Sequence, residues 1–169
     1  MTFVNVSSST YTRTHTAAYV SDKIQTLLKT LVREYGLNPD KVVTCWSGSI
    51  DQAVRKWLIS GHLTSIVIEF YKPGASKAEV RWDFPINYDG DSNDEDLWVD
   101  RNFFRETISK SKSPSLDCDY KIILCHNPGE PYVAGLSSTT FKSIEGLVGR
   151  RQGTVISTRD VMASVKVYQ

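Results

Sequence analysis

The chain has 169 residues, a formal net charge of +1, 40% hydrophobic residues and 23% charged residues. That size suits one domain around a single core, and the near-neutral balance gives no global pull toward nucleic acid or an anionic membrane. MTFVNVSSST lacks the basic start and apolar middle of a signal peptide, and no apolar run reaches the ~18 residues of a membrane span, so a cytoplasmic location is expected. The three cysteines, Cys45, Cys118 and Cys125, are odd in number and show no C-x-x-C spacing. Free, mostly buried thiols are expected rather than a disulfide scaffold or a zinc knuckle.

The first ten residues, Ser/Thr-rich after Phe3, Val4 and Val6, read as a tail or an edge strand. From about Thr14, Ala17, Val20, Ile24, Leu27, Leu28, Leu31 and Tyr35 recur at three- and four-residue steps and predict a helix with one apolar stripe. His15 falls at its start. Gly36 is placed to end it, and Pro39 prevents continuation. DKVVTCW is readable as helix or strand. Ser49 is placed to cap a second helix carrying Ile50, Ala53, Val54, Trp57 and Leu58, which Gly61 stops.

The period then changes from about four to two. Ile66, Ile68 and Phe70 alternate with Ser65, Val67 and Glu69. After the Pro-Gly turn in KPGASKA, Val80, Trp82, Phe84, Ile86 and Tyr88 alternate with mostly polar partners. These runs predict an antiparallel hairpin whose aromatic face the first helix covers. Pro85 suggests an edge strand or a bulge there. The acidic loop DGDSNDED leads into a predicted third helix over 94–111. Its apolar residues Leu97, Trp98, Val99, Phe103, Phe104 and Ile108 spread over more than one stripe, as in a helix covered on two sides. YKIILCH reads as a central strand covered on both faces. From Val133 onward the chain is rich in Gly, Ser, Thr and Val, with strand-like TVIST and VMASVKVYQ. Five basic residues there face two acidic ones. Helices, a hairpin, a helix and then strands indicate an α+β fold.

Candidate chemistry is thin. A twelve-residue frame from Asp89 puts Asp89, Asp91 and Asn93 where a calcium loop needs them, but Asp94 replaces the turn glycine and Asp100 the bidentate Glu. His15, His62 and His126 have no second His or Cys at metal-ligand spacing. Cys125 and His126 are adjacent on a strand and so point to opposite faces. EGLVGRRQGT resembles a phosphate loop, yet no lysine follows its glycines. Its GLVG matches the GXXG loop of KH domains, but strand-like sequence follows instead of a helix. A flexible connector bearing solvated Arg150 and Arg151 is the simpler reading. No catalytic centre, metal or cofactor is indicated, which favours a binding protein. One alternative is a small nucleic-acid-binding domain using Arg150, Arg151 and Arg159; another is a metal-dependent enzyme built on residues 89–100.

In order and spacing the chain resembles the bacterial HORMA-domain proteins of CBASS anti-phage operons. RTHTAAYVSDKIQTLLKTLVREYG resembles the long first helix of that family, and AVRKWLISGHLTSIVIEFYK its next helix and first hairpin strand. AEVRWDFPINYDG resembles the return strand, DEDLWVDRNFFRETIS the third helix, and TVISTRDVMASVKVYQ the end of the C-terminal safety belt. The resemblance implies one HORMA-like domain over 1–169. It has a core over about 1–130, three helices packed on an antiparallel sheet, and a mobile safety belt over about 131–169. By implication it is a non-enzymatic signalling adaptor. It would close around a closure-motif peptide, bind and activate a CD-NTase, and be reset by an AAA+ ATPase, with no membrane partner and no nucleic acid directly expected. The peptide would add a strand to YKIILCH. Tyr120, Ile122 and Leu124 would line it, with Phe103 and Phe104 on its apolar side. Gly146, Gly149 and Gly153 would hinge the belt, and Arg150 and Arg151 would face a partner.

Overall fold

The computed structural model describes residues 3–88 and 97–169, with side chains from Thr14 onward. Helix α1 runs Phe3–Glu34. The whole predicted stripe from Ala17 to Tyr35 is buried, each residue at most 3% exposed. Each fully buried Leu or Ile on it contributes about 1.5–3 kcal/mol. The helix ends in paired bonds from the Gly36 amide to the Arg33 carbonyl and from the Leu37 amide to the Val32 carbonyl, with Gly36 at φ 78°. That closure needs a left-handed residue, which glycine adopts without strain. The N-terminal segment is helical from Phe3, not a tail or strand, because extending a nucleated helix adds a hydrogen bond for each residue fixed. His15 is therefore interior to α1.

DKVVTCW is helical. Helix α2, Asp40–Cys45, passes through a wide turn at Trp46–Ile50, where Gly48 departs from helical geometry, into α3, Asp51–Ser60. Ser49 caps nothing. The chain enters α3 already helical, and the Ser49 hydroxyl donates instead to the Gly135 carbonyl at 3.2 Å. Helix α3 packs on α1, burying Ala53, Val54, Trp57 and Leu58.

The strands are β1 Leu63–Tyr71, β2 Val80–Asn87, β3 Trp98–Val99, β4 Asp119–His126, β5 Gly149–Ser157 and β6 Met162–Tyr168. They form one antiparallel sheet in the order β3-β5-β6-β2-β1-β4. The predicted hairpin is β1–β2, with Ile66 opposite Phe84, Ile68 opposite Trp82 and Phe70 opposite Val80. These six side chains are buried with the α1 stripe in one core. Pro85 marks neither an edge nor a bulge against β1. Strand β2 is interior, and its pairing with β6 skips Phe84 and Pro85, where proline has no N–H to give.

Helix α4 is Arg101–Lys110, shorter than the predicted span. Asp100 caps it, accepting from the Phe103 amide at 3.0 Å, and Trp98 and Val99 belong to β3. The apparent second stripe was a strand joined to a helix. The calcium-like frame lies mostly at residues 89–96, outside the described residues. YKIILCH, as β4, is an edge strand rather than a central one. GRRQG is strand β5 and not a loose connector.

Candidate functional site

Strand β4 pairs with β1 along one side, and its other side is a sheet edge. The Tyr120 amide is taken by Asp119 Oδ1 at 2.7 Å, and the Tyr120 carbonyl accepts from Lys41 Nζ at 2.7 Å. Neither partner lies on β1, so the Tyr120 backbone faces outward. Strand alternation turns the backbones of Ile122 and Leu124 the same way. Lys41 thus blocks one end of the edge, and two residues further along remain open for pairing.

That open stretch faces a groove of about 400 Å³. On the inner side stand Ile50, Trp57, Ile122, Leu124 and His126. On the outer side stand residues 130–133 and 136–139 of the segment that follows β4. Residues 127–148 form no helix or ladder strand, and directional bonds fix their path. The Asn127 amide donates to the His62 carbonyl at 2.8 Å, and Trp57 Nε1–H donates to the Pro131 carbonyl at 2.8 Å. Ser49 then holds Gly135, and Lys121 Nζ donates to Thr139 and Thr140. Further on, Ser143 exchanges backbone bonds with Ser76 and Ala78 in the β1–β2 turn. The segment therefore leaves the end of β4, passes outside the groove, and returns across the sheet face remote from the helices. Beside the groove the His126 ring lies 4.7 Å from that of Trp57, and its Nδ1 is 3.2 Å from Glu130.

The crossed face carries a row of charged side chains beside the buried pair Val67 and Ile123. Glu69 is fully buried, accepts from the Lys142 amide at 2.9 Å, and lies 3.7 Å from Lys121 Nζ. Burial pushes its carboxyl above the ordinary value, against the Lys142 amide and the charges of Lys121 and Arg81. Arg81 makes two bonds to Asp83, at 2.7 and 2.8 Å, and lies against the rings of Phe141 and Tyr168.

Of the residues singled out from sequence, Ile122 and Leu124 line the groove. Tyr120 sits at the blocked end, its hydroxyl donating to the Asn38 carbonyl at 2.6 Å. Phe104 is fully buried against Trp82 and Phe84, and Phe103 packs on Gly153 of β5. Neither lines the groove, since three strands separate β5 from β4. The apolar side of α4 is used in the core. Gly146 lies in the turn before β5, whereas Gly149 and Gly153 are inside that strand. Arg150 and Arg151 are exposed on β5, opposite Val167 and Lys166. The groove also uses Ile50, Trp57, Val133 and Leu136, which sequence reasoning missed. Trp57 read as ordinary helix core, and Leu136 had no periodic neighbours.

Cys118 bonds to Glu79, and burial, then that carboxylate, push its thiol up to about 12. Burial also raises Cys125, so both stay poorly nucleophilic thiols near neutrality. The three cysteines are half-buried and unpaired. Among the described residues no cluster of His, Cys, Asp and Glu suits a metal ion, and no helix is long and apolar enough to cross a membrane.

The family described as Bacterial HORMA domain 2 matches residues 3–169. No curated protein matches. Among solved structures, a chain of the mitotic checkpoint complex is similar at TM-score 0.70 and 10% identity, covering 90% of this chain and 97% of its own. C. elegans HTP-2 bound to the HIM-3 closure motif has TM-score 0.63 and 11% identity, covering 93% and 91%. The E. coli MS115-1 HORMA:CdnC:Trip13 complex has TM-score 0.57 and 13% identity, covering 92% and 89%. At these identities the likeness is one of fold.

Proposed function

Because the chain belongs to the bacterial HORMA domain family, we propose that it is a non-enzymatic adaptor that captures an extended peptide along β4 and encloses it with a belt of residues 127–148, the part of the expected 131–169 belt, extended back to the end of β4, that is not paired into the sheet as β5 and β6. What supports this reading is the open β4 edge at Ile122 and Leu124, facing a groove that the belt bounds from outside. An added strand would gain backbone bonds from those two residues, and its alternate side chains would meet Ile50, Trp57 and Leu136. HTP-2 was solved bound to closure motifs, and the E. coli HORMA protein was solved in complex with CdnC and Trip13. By that likeness, the peptide-filled form binds a cyclic-oligonucleotide synthase of the CD-NTase class in anti-phage defence, and an AAA+ ATPase opens the belt again.

A random-peptide display selection on the full chain tests the first step. Short extended sequences with apolar side chains are expected to be enriched. Leu124→Glu, at a half-buried groove position packed on the core, is expected to weaken them by about tenfold or more while the chain still unfolds in one cooperative transition. No enrichment, or peptides indifferent to this substitution, contradicts the reading.

A further inference from the structure

Where the belt crosses the sheet, strand register brings together one side chain from each of four strands. Lys121 of β4 lies opposite Glu69 of β1, Glu69 opposite Arg81 of β2, and Arg81 opposite Tyr168 of β6. Four successive belt residues lie on this row, and a fifth bonds just beyond it. Lys121 donates to Thr139 and Thr140, Arg81 lies 4.5 Å from the Phe141 ring centroid, Glu69 accepts from the Lys142 amide, and Ser143 bonds to the β1–β2 turn.

Glu69 is the anomaly. Its side chain is fully buried, Oε1 has no hydrogen-bond partner, and its nearest cation is 3.7 Å away. A buried carboxylate so sparsely paired is costly, and an apolar side chain of similar volume often serves a fold as well or better. The placement makes physical sense if this face is sometimes wet. Val67 and Ile123 on this face and Val133 of the belt are buried, so part of the belt's hold is apolar burial. A belt held by bonds to charged groups can exchange them for water when it leaves.

We infer that Glu69 is the anchor holding the belt in its closed path, with Lys121 as a second clasp, and that this charged row sets how readily the belt lifts. The inference rests on the belt being the moving part, as proposed above, and it deepens that reading by naming the residues that control the movement. They are positioning residues, since neither lines the peptide groove.

Amide hydrogen exchange on the full chain without peptide provides the test, so failure of peptide capture would leave its outcome unaffected. Glu69→Leu removes the acceptor while keeping bulk. Exchange at Lys142 and Ser143 is expected to quicken by roughly tenfold, while the β1–β2 ladder keeps its protection. Glu69→Gln keeps an acceptor for the Lys142 amide and is expected to stay within about twofold of the parent at both sites. Lys121→Met, at a partly exposed position, is expected to quicken exchange at the same amides. Unchanged exchange at Lys142 and Ser143 in Glu69→Leu overturns the inference, as does an equal acceleration throughout the β1–β2 ladder.

Discussion

Tyr35 ties three elements together through one hydroxyl. It accepts from Trp82 Nε1 at 3.0 Å and shares a 2.6 Å bond with Ser111 Oγ, joining the end of α1 to β2 and to the end of α4. Trp82 is fully buried and Tyr35 only 3% exposed, so neither group can turn to water. Tyr35→Phe leaves the indole N–H without its acceptor. It is expected to lower unfolding stability by about 1–3 kcal/mol in a urea titration with an unchanged slope. A loss near zero would mean that the Tyr35 hydroxyl does not hold this junction. Both residues were legible from sequence as apolar positions, Tyr35 from helical period and Trp82 from strand alternation. Their bond was not, because period assigns a face and says nothing of which polar tips meet across 47 residues of chain.

At the scale of elements, β5 is the part that local sequence described least well. GRRQGT suggests a connector by its glycines and charges, yet β6 recruits it as a strand over Gly149–Ser157. Each glycine is needed for a different reason. Gly153 sits beside a bulge at φ 147°, and an added Cβ would lie 3.2 Å from Phe103 Cζ. Gly149 has no such backbone need, but an added Cβ would fall 2.5 Å from Tyr168 Cε1. Alanine at either site is expected to cost about 1–3 kcal/mol, by backbone strain in the first case and by overpacking in the second. A paired denaturation series checks this; two neutral variants would mean that the hairpin does not hold the geometry described. Helix α4 is shorter than its sequence suggests for a related reason. An apolar pair in β3 preceded the Asp100 cap, and the two periods ran together into one long predicted helix.

In the whole molecule, the layer of helices on an antiparallel sheet follows from signals of long range in sequence: the α1 stripe, the alternation in β1 and β2, and the break between them. The candidate site does not, because it arises where distant segments meet. Strand β4 is apolar enough to read as central, and only the sheet order reveals it as an edge with its first outward carbonyl blocked by Lys41. The groove is completed by residues 130–139, whose irregular path depends on scattered partners such as Trp57, Ser49 and Lys121. Those partners come from α3, the turn before it and β4, so no local pattern announces them.

The proposed capture requires a peptide to join the sheet at β4. The most direct measurement is residue-resolved amide exchange of the full chain with and without a peptide enriched by display. Strong new protection is expected at the Ile122 and Leu124 amides, the two outward groups left open beyond Lys41, with little change at Tyr120, whose amide Asp119 already holds. Protection appearing instead along the exposed 149–152 end of β5, with Ile122 and Leu124 unchanged, would contradict it.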